Sequence, residues 1–247
     1  MALSDIQTLF FDIGSTLRVT DKNPAFIAEG RRKLAELAKS NEDPEVFYKK
    51  LKARYDAYRE VSKVQLLDYP EIELWQQIML PDVDGEYVAA HAQELTTLWR
   101  DGTNGKRLTR FDTVDTVKEL YRRGYKLGII ANTITETEIP DWMCHDRVAG
   151  CFQTVILSSK VRLRKPDPAI YLLASRCIGT VPENCAYVGD NPVRDVEGAV
   201  DAGYGSMILY EDAGTADREG KLPTVKPDYR IKAIRELLDL FPDRKAL

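Results

Sequence analysis

The sequence predicts an α/β fold: a parallel sheet flanked by helices, with an all-helical insertion placed early in the chain. Three observations carry this. Beyond residue 105, short apolar runs of strand length alternate with amphipathic stretches, the pattern of parallel strands joined by right-handed crossovers. One further run of the same kind, residues 6–11, stands at the start of the chain and has nothing to bury against unless it joins that sheet. Between residues 24 and 100 the strand-like runs vanish and helical periodicity takes over. The core is therefore expected to be discontinuous, residues 1–22 plus 106–247, with residues 23–105 inserted as a helical domain.

The elements follow in order. The first strand ends in Asp12 and a small Gly14-Ser15-Thr16 turn, and residues 18–23 read as a loop or short hairpin. In the insertion, a first helix over residues 25–39 carries Phe26, Ile27, Leu34 and Leu37 among charges. Asp43-Pro44 opens a second, capped at its start, through Val46, Phe47, Leu51, Tyr55 and Tyr58. A third spans residues 71–79 and a fourth residues 86–99; short connections imply a small antiparallel bundle. The run Asp101-Gly102-Thr103-Asn104-Gly105 marks the boundary back to the core. There Val114, Val117, Leu120 and Tyr121 form a helix face stopped by Gly124, and residues 125–131, 154–157, 185–189 and 206–210 read as buried strands. Helices are expected over residues 139–148 and 169–178 and again up to Ala202, the second opened by Asp167-Pro168.

Composition excludes several functions. A net charge of −4 gives no reason to expect nucleic acid or an anionic membrane as partner, and no apolar run reaches membrane-spanning length. The first residues lack the basic and apolar regions of a signal peptide. Cys144, Cys151, Cys177 and Cys185 form no C-x-x-C pair and read as core thiols in a reducing compartment, so a cytoplasmic location is expected.

Four segment ends offer polar groups to one place. Asp12 follows the first strand, and a carboxylate at the C-terminal end of a buried parallel strand sits where open α/β sheets place their chemistry. Asn132-Thr133 follows the strand ending in Ala131; Lys165 lies in Arg164-Lys165-Pro166-Asp167-Pro168; Gly189-Asp190-Asn191-Pro192-Val193-Arg194-Asp195 follows another strand. Asp12, Asp190 and Asp195 together would repel one another unless a hard dication sat among them, and oxygen ligands alone point to Mg²⁺. Lys165 then offsets charge on a bound anion and on the aspartates. Each residue alone has an ordinary reading, as helix cap, surface acid or solvated lysine; their joint order is what points to a site. Arg18, Arg31, Arg32, Tyr55 and Tyr58 read first as solvated faces and core stripes, and only second as substrate contacts.

This set, over the whole chain, resembles the haloacid dehalogenase-like hydrolase superfamily, whose motifs run from a strand ending in a nucleophilic Asp, through a strand ending in Ser/Thr and a Lys, to a strand ending in Gly-Asp with a second Asp shortly after. The resemblance implies a Rossmann-like three-layer core, with the helical insertion serving as the cap of the subclass that carries it after the first motif. It further implies a Mg²⁺-dependent phosphatase of a small phosphorylated metabolite. In that reading Asp12 attacks phosphorus to form an aspartyl-phosphate, and Lys165 stabilises the transferring group. Asn132, Thr133 and Lys165 contact the phosphate, and Asp12, the carbonyl of Gly14, Asp190 and Asp195 hold the metal.

Two residues depart from the family pattern. Gly14 stands where its phosphatases usually carry an Asp that serves as acid and base, and Ala131 stands where the hydroxyl of the second motif is expected. The hydroxyl's role then shifts to Thr133 or to the Asn132 side chain. Gly14 opens three alternatives. One is a weakly active member that binds phosphate and metal as a regulatory protein. Another is a phosphonatase using a cap lysine such as Lys33, Lys49, Lys50 or Lys52. The last is a dehalogenase, against which Asp190 and Asp195 argue.

Overall fold

The computed structural model describes residues 3–211 and 225–244. In chain order the elements are β1 Thr8–Phe11, β2 Arg18–Asp21, α1 Pro24–Leu37, α2 Pro44–Gln65 and α3 Glu71–Leu74, the last continuing as a wide turn Trp75–Met79. There follow α4 Gly85–Asn104, β3 Lys106–Thr109, α5 Thr113–Arg122, β4 Lys126–Ala131, α6 Glu138–His145, β5 Phe152–Leu157, α7 Ser158–Val161 and α8 Pro168–Ile178. The chain continues with β6 Cys185–Gly189, a wide turn Pro192–Glu197, α9 Gly198–Asp201, β7 Ser206–Tyr210, β8 Tyr229–Ile231 and α10 Leu237–Leu240.

Six strands form one sheet in the order β5-β4-β1-β6-β7-β8, every pair parallel; β1 joins it, as expected, and lies inside it between β4 and β6. Side chains alternate between the two faces with the period of two that strand geometry imposes. Leu9, Phe11, Leu127, Ile129, Ala186, Val188 and Ile208 point to one face, where Val117, Leu120, Trp142 and Leu237 cover them. Phe10, Ile130, Cys185, Tyr187, Met207 and Leu209 point to the other, beneath Ile170, Tyr171, Ala174 and Ala199. Each fully buried apolar side chain contributes roughly 1.5–3 kcal/mol, which is why these runs carry almost no polar residue.

Helices α1–α4 lie between β2 and β3, which pair antiparallel beside the main sheet. They have their own apolar core around Leu34, Phe47, Leu51, Trp75, Val88, Leu95 and Trp99, joined by Ile134 from the loop after β4. Helix starts are where the capping residues place them. The carboxamide of Asn23 accepts from the amides of Ala25 and Phe26, and the Asp43 carboxylate accepts from those of Glu45 and Val46.

Three expectations are corrected. Residues 101–104 are the last turn of α4, and the chain turns only at Gly105, whose φ is +79°. Gly102 is a packing residue: α1 and α4 cross so closely that a Cβ on Gly30 would stand 2.8 Å from the Gly102 amide nitrogen. Tyr121, expected on the buried face of α5, is exposed, because that face turns through Val117 and Leu120. Cys144 and Cys177 are exposed on helices and only Cys151 and Cys185 are core thiols. The strands β3 and β8 have no apolar run to announce them: β3 reads Lys-Arg-Leu-Thr and β8 Tyr-Arg-Ile. No helix among the described residues is long and apolar enough to cross a membrane.

Candidate active site

The C-terminal edges of β1, β4 and β6 meet at one cavity of about 570 Å³, lined among others by Asp12, Gly14, Asn132, Thr133 and Asp190. β1 delivers Asp12, whose amide continues the ladder by donating to the Val188 carbonyl at 2.9 Å. The turn behind it is held by Arg110, which donates to the carbonyls of Ser15 at 2.6 Å and Thr16 at 3.0 Å. β6 delivers Asp190, and the wide turn after it delivers Asp195. Glycine is required at position 189, just before Asp190: a Cβ there would stand 2.5 Å from the Asp195 carboxylate. Asp12, Asp190 and Asp195 are all buried and each places one carboxylate oxygen within 4.8 Å of the other two.

Lys165, only 1% exposed, reaches this group from the loop before α8. Its Nζ donates to Asp12 Oδ1 at 2.8 Å and to the Tyr187 hydroxyl at 2.6 Å, and lies 2.8 Å from Asp195 Oδ1. Tyr187 passes a hydrogen bond on to the Ile130 carbonyl at 3.0 Å. Burial, with Asp195 nearby, keeps its phenol protonated by pushing its pKa well above the ordinary range. Asn132 positions the lysine: its carboxamide oxygen accepts from the Lys165 amide and its nitrogen donates to the Lys165 carbonyl, both at 2.9 Å. The cavity therefore meets Asn132 with its side chain already engaged. Thr133 Oγ1 accepts from Arg100 at 3.2 Å, and its amide donates to Ser158 Oγ at 2.9 Å.

Arg194 is the residue that sequence reasoning passed over. Its guanidinium stands 3.4 Å from both Asp12 Oδ2 and Asp190 Oδ1 and 3.3 Å from Asp195. Burial opposes its charge, yet Asp195, Asp12 and Asp190 hold it well above its ordinary pKa. Burial likewise works against an ionised Asp195, but Arg194 and Lys165 overcome it and hold that carboxyl below its usual value. A basic residue inside the Gly189-to-Asp195 run was the available signal.

A second buried carboxylate joins the helical insertion to the site loops. Asp68 accepts from Tyr58 at 3.1 Å, Ser62 at 2.8 Å, Ser158 at 2.6 Å and Arg164 at 2.9 Å. Arg164 precedes Lys165 and Ser158 holds the Thr133 amide, so one anion fixes both loops. Arg162 pairs with Glu73 of α3. Arg162 is exposed, whereas Arg164 is buried.

The residues read first as solvated faces and core stripes divide. Tyr58 is in the insertion's core, and Arg31 and Arg32 pair with Glu45 and Glu29. Arg18 lies on β2 and lines the cavity. Lys33, Lys49, Lys50 and Lys52 are exposed and none lines it. Gly14 has open space where a Cβ would be, with nothing within 4 Å.

Three carboxylates, a buried lysine and an arginine are thus gathered at the C-terminal edge of a parallel sheet. Residues 6–203 match the family model described as haloacid dehalogenase-like hydrolase, and the chain belongs to that family. It is 30% identical over 131 residues to a glyceraldehyde 3-phosphate phosphatase of Methanopyrus kandleri, covering 52% of this chain and 54% of that one. It is 33% identical over 119 residues to a phosphoserine phosphatase of Thermus thermophilus, covering 48% and 45%. The chain thus spans about half the length of these relatives. Among solved structures it shares the fold of a 2-haloacid dehalogenase from Pseudomonas syringae, with a TM-score of 0.66, 22% identity, and 95% and 97% coverage of the two chains.

Proposed function

We propose that the chain is a phosphatase of a small phosphorylated metabolite, working through an aspartyl-phosphate on Asp12. The observation that carries this is the pairing of Asp12 with Lys165 at 2.8 Å inside a buried cluster of three carboxylates. The relatives named phosphatases support the same reading. Three carboxylates face two cations, Lys165 and Arg194, which leaves one negative charge in a buried crevice of oxygen donors. That donor set fits Mg²⁺, with Asp12, Asp190 and the Gly14 carbonyl as ligands and Asp195 orienting the shell. Bound there, Mg²⁺ lowers the repulsion between the carboxylate and the incoming phosphate.

The chain's own groups do the rest. Asp12 attacks phosphorus in line; its new O–P bond forms as the ester P–O bond breaks and the electron pair leaves with the alcohol oxygen. Lys165, held by Asn132, Tyr187 and Asp195, keeps one oxygen of Asp12 oriented and offsets charge on the transferring group. Water then attacks phosphorus and returns Asp12 as carboxylate. Residues 23–105 act as the cap over this site, in the cytoplasm.

General acid catalysis is missing from Gly14, and the remaining cavity carboxylate, Glu138, does not replace it. Burial raises its pKa, but Arg100, Arg107 and Arg18 hold it below the ordinary value. The leaving alcohol then takes its proton from water. This favours good leaving groups, and it also motivates a second reading, a regulatory protein that binds phosphate and metal without turnover. Hydrolysis of para-nitrophenyl phosphate with and without Mg²⁺, by wild type and Asp12→Asn, separates them. Turnover that requires both Asp12 and the metal supports the phosphatase; turnover indifferent to both overturns it.

A further inference from the structure

Opposite the carboxylates, the same cavity has a basic wall that phosphoryl transfer leaves without a task. Arg18 of β2, Arg107 of β3 and Arg100 of α4 converge on one carboxylate, Glu138 at the start of α6, at 2.7, 2.6 and 2.8 Å. Arg107 also reaches Asp101 at 3.0 Å. Three guanidiniums against two carboxylates leave this wall positive. Donors also outnumber acceptors. The side chains of Arg18 and Arg107 are nine-tenths buried, yet Arg18 Nε and Arg107 Nη1 have no hydrogen-bond partner among the described residues, against one unpaired acceptor oxygen in the cluster, Glu138 Oε2. A clamp built only to hold β2, β3 and α4 together would pair those donors with backbone carbonyls, as Arg110 does behind Asp12. All three arginines and Glu138 line the cavity that Asp12, Gly14 and Asp190 line.

We infer that this wall binds a second anionic group of the substrate, a carboxylate or a second phosphate. The substrate class is then phosphate monoesters whose leaving alcohol carries its own negative charge. The inference rests on the phosphatase reading for the group held at Asp12, and it adds the charge at the other end of the molecule. Arg18 and Arg107 are specificity-determining residues in this account: planar forks that match a carboxylate or phosphate face, with Glu138 keeping them assembled.

The test is calorimetric, on the full-length Asp12→Asn chain with Mg²⁺, so that binding is read without turnover. Matched probes are phosphoglycolate against ethyl phosphate, and 1,3-propanediol bisphosphate against propyl phosphate. One probe with the second anionic group is expected to bind about 10–100-fold more tightly than its partner without it, the size of a charge-assisted hydrogen-bonded contact. Which pair shows the preference says whether carboxylate or phosphate is taken. The ratio falls toward one in Arg18→Gln and in Arg107→Gln, with thermal unfolding used to choose whichever variant keeps the fold. Equal affinities within both pairs, or a preference that survives in a folded variant, overturn the inference. The phosphatase reading fails separately: equal kcat/KM of wild type for esters with and without a second anionic group sinks the inference alone, while no binding and no turnover of any ester sinks both.

Discussion

The two walls of the cavity are built by different rules. The acidic wall comes from strand ends and the loops that follow them: Asp12 after β1, Asp190 and Asp195 after β6, Lys165 before α8. Its charges are paired through short, buried contacts that leave one net negative charge among the three carboxylates. The basic wall draws one side chain each from β2, β3, α4 and α6 and leaves buried donors unpaired. On the proposed reading the first wall takes only a metal, and the second takes a second anionic group of the substrate. Chemistry would then be set by the sheet, and selectivity by the helical insertion and the strand pair from which it departs.

Substitutions break this comparison at different depths. Asp12→Asn is expected to lower kcat on para-nitrophenyl phosphate at least about 10³-fold while leaving the fold intact, as steady-state kinetics and circular dichroism will show. On the insertion side, Asp68→Asn leaves Arg164 buried without its partner and is expected to cost about 3 kcal/mol of stability in denaturant unfolding. Because Asp68 also fixes the Ser158 and Lys165 loops, kcat falls with it; a stability loss with unchanged kcat would confine Asp68 to packing. Gly14→Asp works in the opposite direction. The backbone there is in an ordinary region and space for the side chain is open, so the restored acid is expected to raise kcat on alkyl esters by about 10–100-fold, and by less on aryl esters.

The smallest effect is in acid. Glu138 and Asp195 are held below their ordinary values of 4.5 and 3.8, so the unfolded chain takes up their protons first. The stability they supply is present above about pH 4.5 and is lost as pH falls through their folded values. Thermal unfolding over a pH series is expected to show that decline, and a shallower one in Glu138→Gln.

The same difference explains what could be read without a structure. Asp12 and Asp190 each follow an apolar run that ends in a polar residue, and Lys165 sits in the Arg164-Lys165-Pro166-Asp167-Pro168 segment that opens a helix; those local patterns made all three candidates. Arg194 lay inside such a segment and was missed because it breaks the expected charge of the run. Asn132 was placed in the right loop, but only its hydrogen bonds to the Lys165 backbone show that its side chain is spent there. Arg18, Arg100, Arg107 and Glu138 carry no shared local pattern. They meet through the pairing of β2 with β3, and β3 has no apolar run by which to recognise it. The helix start at Asp43-Pro44 was legible from its cap, whereas the end of α4 was not, because Gly102 serves close packing and not a turn.

The central claim is that Asp12 carries the phosphoryl group. Wild-type protein mixed with Mg²⁺ and para-nitrophenyl phosphate, quenched in acid and reduced with borohydride, converts an aspartyl-phosphate to homoserine at the labelled position. Peptide mass spectrometry is predicted to find homoserine in place of Asp12 and nowhere else, and none in protein quenched without the ester. Steady turnover with position 12 unmodified, or with the label on another residue, would contradict the account.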